Sequence, residues 1–213
     1  MRAYKFLDEK YGLKDITERR VKVSTFADMN DPFELLGSRW SHVAVEDAIN
    51  ADSTSEYGVL CMSRNCTDPL LWAHYADKHR GVCLGFDIPD NPSVVHPVIY
   101  VDERELQDPY LLLKTLSSRP LEVAQSAVMR KLLLKYKRWE YEDEVRLFKR
   151  LGRGLTFVLF DDEDFALKQV ILGLRCTASK KSILQRLRGY NREIEILKAE
   201  LSQDRFEIVP KPI

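Results

Sequence analysis

Trp139-Glu140-Tyr141-Glu142-Asp143-Glu144-Val145-Arg146-Leu147-Phe148 is the stretch from which the fold is read outward. As an extended strand it sets Glu142, Glu144 and Arg146 on one face and Tyr141, Val145 and Leu147 on the other, with Asp143 as the one misfit. The reason is that successive side chains of a strand alternate faces, and residues two apart sit about 6.5 to 7 Å from each other. Two carboxylates at that spacing resist simultaneous ionisation while a guanidinium favours it. Their pKa values can therefore separate into an acid and a base, or the pair can steady a cationic transition state. The competing reading is a solvent-facing amphipathic strand whose ion pairs are worth at most about 1 kcal/mol each.

Beyond this stretch, Gly152-Arg153-Gly154 reads as a hairpin turn into a strand at 155–160, and further strands fall at 169–172, 193–199 and 206–209. The run 180–188 carries Lys180, Lys181, Arg186 and Arg188 around Ile183, Leu184 and Leu187, the pattern of one amphipathic surface helix. Upstream, strands are expected at 4–7, 20–25, 58–63, 82–87 and 98–101, with a helical turn at 13–19, a weak helix at 46–50 and a polar connector at 53–56. Asp68 caps a helix that has Pro69 at its first position and runs through His79 to a stop at Gly81. Residues 103–137 follow a helical pattern interrupted by Pro109 and Pro120, and read as a helical insertion between two halves of a sheet. The expectation is a single α+β domain over 1–213, built on a mixed, mainly antiparallel sheet.

Composition narrows the function classes. The chain has 213 residues, 45% of them hydrophobic, enough for a real core. Its 33 basic and 33 acidic residues cancel, so no global charge draws it to nucleic acid or an anionic membrane. No apolar run approaches the roughly 18 to 20 residues needed to cross a bilayer, and the N-terminus lacks the apolar centre of a signal peptide. A cytoplasmic protein is expected, with Cys61, Cys66, Cys83 and Cys176 as reduced thiols.

A second cluster lies in the helix that Asp68 opens. At 100° per residue Trp72, Tyr75 and His79 share one face, and Leu71, His74 and Lys78 another. The aromatics can stack on a flat ring and a histidine can carry a proton; equally, Trp72 and Tyr75 can be core and His79 can satisfy the helix C-terminus. Cys61, Cys66, His74, His79 and Cys83 are close in sequence, but their spacing departs from the paired ligands of a zinc site, and no metal is expected. Ser24 and Ser63 lie outside a nucleophile-elbow motif, and Gly-rich phosphate loops are absent. In Asn30-Asp31-Pro32-Phe33-Glu34, Asp before Pro favours a sharp turn that displays acidic side chains.

Three blocks, Asn30-Asp31-Pro32-Phe33-Glu34, Trp72-Ala73-His74-Tyr75-Ala76-Asp77 with His79 to Phe86, and Trp139-x-Tyr141-Glu142-x-Glu144-x-Arg146, resemble in content and order a bacterial domain-of-unknown-function family numbered two-nine-seven-one. Members are sometimes found near phage-defence genes, so the resemblance implies a defence effector or toxin and a cognate inhibitor. More distantly the chain resembles the ADP-ribosyltransferase fold, in which an N-terminal strand lines the nicotinamide pocket and a late strand bears the catalytic glutamate. Tyr4-Lys5-Phe6, His74-Tyr75 and Glu142 or Glu144 stand in a compatible order, although Lys5 occupies a place where many members carry Arg or His.

That resemblance implies an NAD-consuming enzyme, a transferase or a glycohydrolase, with a small nucleotide as ligand, NAD as substrate and a protein or nucleic acid as acceptor. Glu144 would stabilise the oxocarbenium-like ribose, Glu142 would activate water or the acceptor, and Arg146 would orient a carboxylate or meet a phosphate. His74 or His79 would contact the ribose or pyrophosphate. Trp72, Tyr75 or Trp139 would stack on a ring, and Tyr4, Lys5, Asn30 and Asp31 would line the cofactor pocket. Two alternatives stand beside it: a non-catalytic ligand-sensing or protein-interaction module, and a metal-dependent nuclease using Asp31, Glu34, Glu142 and Glu144, which lacks an obvious lysine partner. The discriminating observation is whether the three blocks converge on one cavity.

Overall fold

Arg2-Ala3-Tyr4-Lys5-Phe6-Leu7 forms the middle strand of the sheet, β1 (Arg2–Leu7), and buries Ala3 against one face and Phe6 against the other. The computed structural model describes residues 1–34, 38–40, 57–107, 129–151, 156–160 and 164–213. After β1, the Asp8 side chain accepts from the Tyr11 N–H at 2.9 Å and caps α1 (Glu9–Glu18). Arg19, at φ 53°, turns the chain into β2 (Arg20–Lys22). Then come β3 (Ser38–Trp40), β4 (Tyr57–Ser63), α2 (Pro69–Tyr75), β5 (Val82–Asp87), β6 (His96–Pro97), β7 (Ile99–Val101), β8 (Glu105–Gln107) and β9 (Leu134–Tyr136). A 3-10 turn (Lys137–Glu142) leads into β10 (Glu144–Arg150), followed by β11 (Phe157–Leu159), β12 (Ala166–Leu172), α3 (Lys180–Arg186), β13 (Glu195–Leu201) and β14 (Ile208–Pro212).

Among the described residues the main sheet has eight strands in the order β14-β13-β12-β5-β1-β4-β10-β6, antiparallel throughout except for β12 with β13. The architecture is α+β with a mixed, mainly antiparallel sheet. Along β5, Val82, Leu84 and Phe86 enter the core that includes Ile16 of α1 and Ile183 of α3, while Cys83 enters the one that holds Leu71 and Trp72 of α2. A strand covered on both faces reads as a continuous apolar run because neither face meets water. Gly12 lets α1 lie close, since a Cβ there would collide with Val82 Cγ2.

The sheet has one weak seam. β1 pairs with β5 from Arg2↔Asp87 to Leu7↔Val82, and β10 pairs with β4 from Glu144↔Ser63 to Arg150↔Tyr57, yet β1 meets β4 only at Tyr4↔Ser63. Past Tyr4 the strands part, and the β4 edge takes Ser24 instead, through reciprocal Ser24–Val59 hydrogen bonds of 3.0 and 2.8 Å. The Lys5 ammonium reaches into the wedge and donates to the Cys61 carbonyl at 3.0 Å. A side chain thus satisfies a backbone acceptor that the missing ladder leaves open.

Several expectations change. The helical reading of 103–137 fails at both ends, where β8 pairs with β3 and β9 with β7, each in parallel; 129–133 are helical, and 108–128 lie outside the described residues. A short apolar run such as Leu132-Leu133-Leu134 satisfies either period, and tertiary pairing decides. The helix from Asp68 stops at Tyr75, because Asp77, Lys78 and His79 adopt φ of 41°, 53° and 69°. That left-handed turn, costing about 1–2 kcal/mol per residue, is held by Gly173 and Arg175 beyond β12, whose N–H groups donate to the Gly81 and His79 carbonyls at 2.9 Å. β11 pairs with β2 and not with β10, so the hairpin reading of 152–154 gives way; that turn, like 46–50 and 53–56, lies outside the described residues. The basic segment is an amphipathic helix as expected, capped by Ser179 and burying Ile183.

Candidate active site

β10 begins at Glu144 because Asp143, at φ 44°, breaks the chain out of the preceding 3-10 turn. Glu142 therefore ends that turn and does not sit on the strand, which corrects the sequence expectation for its backbone. Its side chain still joins Glu144, because Arg64 and Ser63 fasten the corner. The Arg64 N–H donates to the Asp143 carbonyl at 3.0 Å, its guanidinium pairs with the Asp143 carboxylate, and Ser63 Oγ donates to the Glu142 carbonyl at 2.5 Å.

The face expected to be either solvated or functional is buried: Glu142 is 4%, Glu144 5% and Arg146 0% exposed. The solvated-strand reading is thereby removed. Arg146 Nε donates to Glu144 Oε1 at 2.8 Å and Nη2 to Oε2 at 3.3 Å, Nη1 donates to the Leu132 carbonyl at 2.5 Å, and Nη2 pairs with Glu34 Oε1 at 2.5 Å. Lys135, also buried, donates to Glu144 Oε2 at 2.8 Å and to Glu142 Oε2. The Tyr75 hydroxyl donates to Glu142 Oε1 at 2.5 Å, and the Tyr100 hydroxyl accepts from the Glu144 N–H at 2.9 Å.

Three carboxylates thus face two cations, and the environment treats them unequally. Burial alone would raise the Glu144 carboxyl, but Arg146 and Lys135 hold it down at about 2. Burial pushes Glu142 above the usual glutamate value despite Lys135 and Tyr75, and does the same to Glu34 despite Arg146. Burial works against the Lys135 ammonium, yet Glu144 and Glu142 hold it protonated beyond the ordinary lysine value. Burial and the Glu142 charge raise the Tyr75 phenol, which stays a donor. Opposed shifts in two adjacent carboxyls are a mark of acid–base sites.

A cavity of about 190 Å³ opens in the wedge between β1 and β4. Tyr4, Lys5, Asn30, Asp31, Tyr75, Glu142 and Glu144 all line it, so the three sequence blocks converge. Asp31 Oδ1 accepts from the Phe33 N–H at 2.9 Å and so turns the loop, while its buried Oδ2 has no partner among the described residues. An unsatisfied buried acceptor in a cavity wall is a place for a ligand donor. Arg146 stands behind Glu144, away from the wall.

The remaining expected residues lie elsewhere. Trp72 is wholly buried, packs its ring on Phe6 at 5.1 Å and donates Nε1–H to the Cys66 carbonyl at 2.8 Å; it is core and does not stack on a ligand. His79 belongs to the left-handed turn and does not line the cavity. His74 is exposed, in a surface group with Trp139 at 6.1 Å and Tyr141 at 6.4 Å, and Trp139 in turn lies 5.2 Å from Lys135 Nζ. Among the described residues no three His, Cys, Asp or Glu side chains are grouped to share a metal ion. Lys135 is the central residue that sequence reasoning missed; in Lys131-Leu132-Leu133-Leu134-Lys135-Tyr136-Lys137 nothing local sets it apart from its neighbouring lysines, and the helical reading hid its strand.

No helix among the described residues is long and apolar enough to cross a membrane. No curated protein and no solved structure gives a significant match to the chain. Residues 71–147, which include most of α2, all of β5, Lys135 and both glutamates, match the model of a family described as a protein of unknown function (DUF2971).

Proposed function

We propose that the chain consumes NAD, breaking the bond between ribose C1′ and nicotinamide N1 as an ADP-ribosyltransferase or an NAD glycohydrolase. One observation carries the reading: of two glutamates in one cavity wall, one is bonded by two cations and held anionic while the other keeps more free acceptor capacity. Glu144 accepts two bonds from Arg146 and one from Lys135, three of the roughly four acceptor sites of a carboxylate. Glu142 accepts only from Tyr75 and Lys135 among the described residues. This supports the division of roles expected from sequence, with Glu144 as the fixed anion and Glu142 as the group that reaches the ligand.

As the C1′–N1 bond lengthens, nicotinamide departs neutral with the bonding pair, and positive charge develops on C1′ and the ring oxygen. The fixed Glu144 anion supplies a preorganised negative field, worth most where water is excluded. Glu142 then takes the proton of water or an acceptor hydroxyl as that oxygen bonds to C1′. An N-terminal strand lining the pocket through Tyr4 and a late strand carrying a glutamate support the likeness to ADP-ribosyltransferases.

A non-catalytic sensor is the second reading, favoured by Lys135, since an ammonium already bridging both carboxylates suits holding a ligand as well as transforming it. Titrating purified protein with NAD while following melting temperature and nicotinamide release separates the two. The account expects a rise in melting temperature by ligand linkage together with release. Stabilisation without release moves the protein to the sensor reading, and neither effect overturns both.

A further inference from the structure

Lys5, Phe6, Ser24 and Tyr75 also line a second cavity, of about 490 Å³, which continues the wedge along β1 to α1 and β2. The first cavity, at about 190 Å³, is smaller than the roughly 300–1,000 Å³ of small-molecule pockets. A dinucleotide outgrows it, and the shared walls mark the direction in which the rest extends.

The chemistry of the larger cavity is distinct. Lys5, Lys14 and Lys22 border it beside the carboxylates of Asp8, which is engaged as the cap of α1, and Glu18, which faces Lys14. Lys14 meets Glu18 only at 3.9 Å and Lys22 meets Asp28 at 3.4 Å, both near the surface, and such pairs are readily exchanged for a phosphate. Tyr11, 55% exposed, and Phe157, with the Arg20 guanidinium 3.8 Å over its ring, bring aromatic walls. Asp15, only 7% exposed, also lines the cavity, and among the described residues nothing donates a hydrogen bond to its carboxyl. A buried carboxyl without a donor destabilises a fold, and this one opens onto the cavity, where a ligand hydroxyl can supply the donor.

We infer that this cavity is a second subsite of the same cleft and takes an adenosine phosphate, with Lys14 and Lys22 on the phosphates, Asp15 on the ribose hydroxyls, and Tyr11 and Phe157 beside the base. The inference rests on the NAD reading only for what fills the smaller cavity. Calorimetric titration of the full chain with ADP and AMP tests it, in the wild type, Asp15→Asn, the double variant Lys14→Ala/Lys22→Ala, and Glu142→Gln. ADP should bind more tightly than AMP. Asp15→Asn and the lysine double variant should each weaken ADP about tenfold, the usual effect of losing a charged hydrogen bond, while Glu142→Gln changes it less than about twofold. Asp15→Asn removes a buried charge and should melt no lower than wild type, so a loss of binding is not a loss of fold. Failure of ADP to bind the wild type, or wild-type affinity in both subsite variants, overturns the subsite. The two readings fail separately: the expected ADP pattern without nicotinamide release from NAD keeps the subsite and removes the reaction. NAD turnover with unchanged KM in both variants keeps the reaction and removes the subsite.

Discussion

β5 and β10 are buried strands of one sheet, separated by β1 and β4, and they are buried on opposite terms. β5 hides Val82, Cys83, Leu84 and Phe86 at 0% exposure and is stabilised by that burial itself, at about 1.5–3 kcal/mol per large side chain. β10 hides Glu144 and Arg146 just as deeply, and burial of charge is unfavourable unless partners offset it. Those partners come from outside the sheet, Lys135 from β9 and Glu34 from the Asn30 loop. The difference teaches that depth does not separate scaffold from site. Dependence on distant partners does, and it is why the charged strand borders a cavity and the apolar one does not.

The largest effect is expected from Arg146→Met, which strands Glu144 and Glu34 as buried carboxylates and should destabilise by about 3–5 kcal/mol in urea unfolding. Leu84→Ala in β5 should follow at about 3 kcal/mol. The two then diverge: adding Glu144→Met to Arg146→Met should recover part of the loss, because the pair is coupled, whereas a second core truncation more than about 10 Å from Leu84, with no shared neighbour, should add to the first. Additivity at both strands would erase the contrast between them.

Acid should sharpen it. Glu144 is held at about 2 against an ordinary 4.5, so its stabilisation is complete above the ordinary value and drains away as pH falls toward about 2. Melting temperature between about pH 5 and pH 2.5 should fall less steeply in Glu144→Gln than in wild type. Asp15 works in the other direction: raised from 3.8 to about 7, it favours the fold while protonated, and stability is lost as pH rises through about 7. Discounted for partial solvent contact, Asp15→Asn should gain about 2–4 °C at pH 8 over its effect at pH 5, the smallest of these shifts.

The apolar half of this comparison was legible in the sequence and the charged half was legible only in part. Val82–Asp87 announced itself as a strand over its full length, because a run buried on both faces tolerates only apolar residues and Gly85. Asp68 followed by Pro69 marked the start of α2, since capping is local chemistry. Whether Asn30, Tyr75, Glu142 and Glu144 come together was the question three separate blocks left open, and the cavity unites them. Local pattern failed where tertiary contacts decide. Asp143 enters the left-handed region with Arg64 clamped to it, Asp77 to His79 do so against the end of β12, and β9 becomes a strand because β7 pairs with it. Each of those contacts joins residues far apart in the chain. Lys135 was hidden for another reason: the carboxylates it bridges lie close by in sequence, at Glu142 and Glu144, but only the pairing of β9 with β7 turns it toward them.

The central claim is that Glu142 reacts while Glu144 positions. It is tested most directly by measuring nicotinamide release from NAD for Glu142→Gln and Glu144→Gln beside their melting temperatures. The account predicts that Glu142→Gln keeps wild-type stability and loses about 10²–10⁴ in kcat, while Glu144→Gln loses stability and activity together. A Glu142→Gln protein that turns over NAD at the wild-type rate would contradict it.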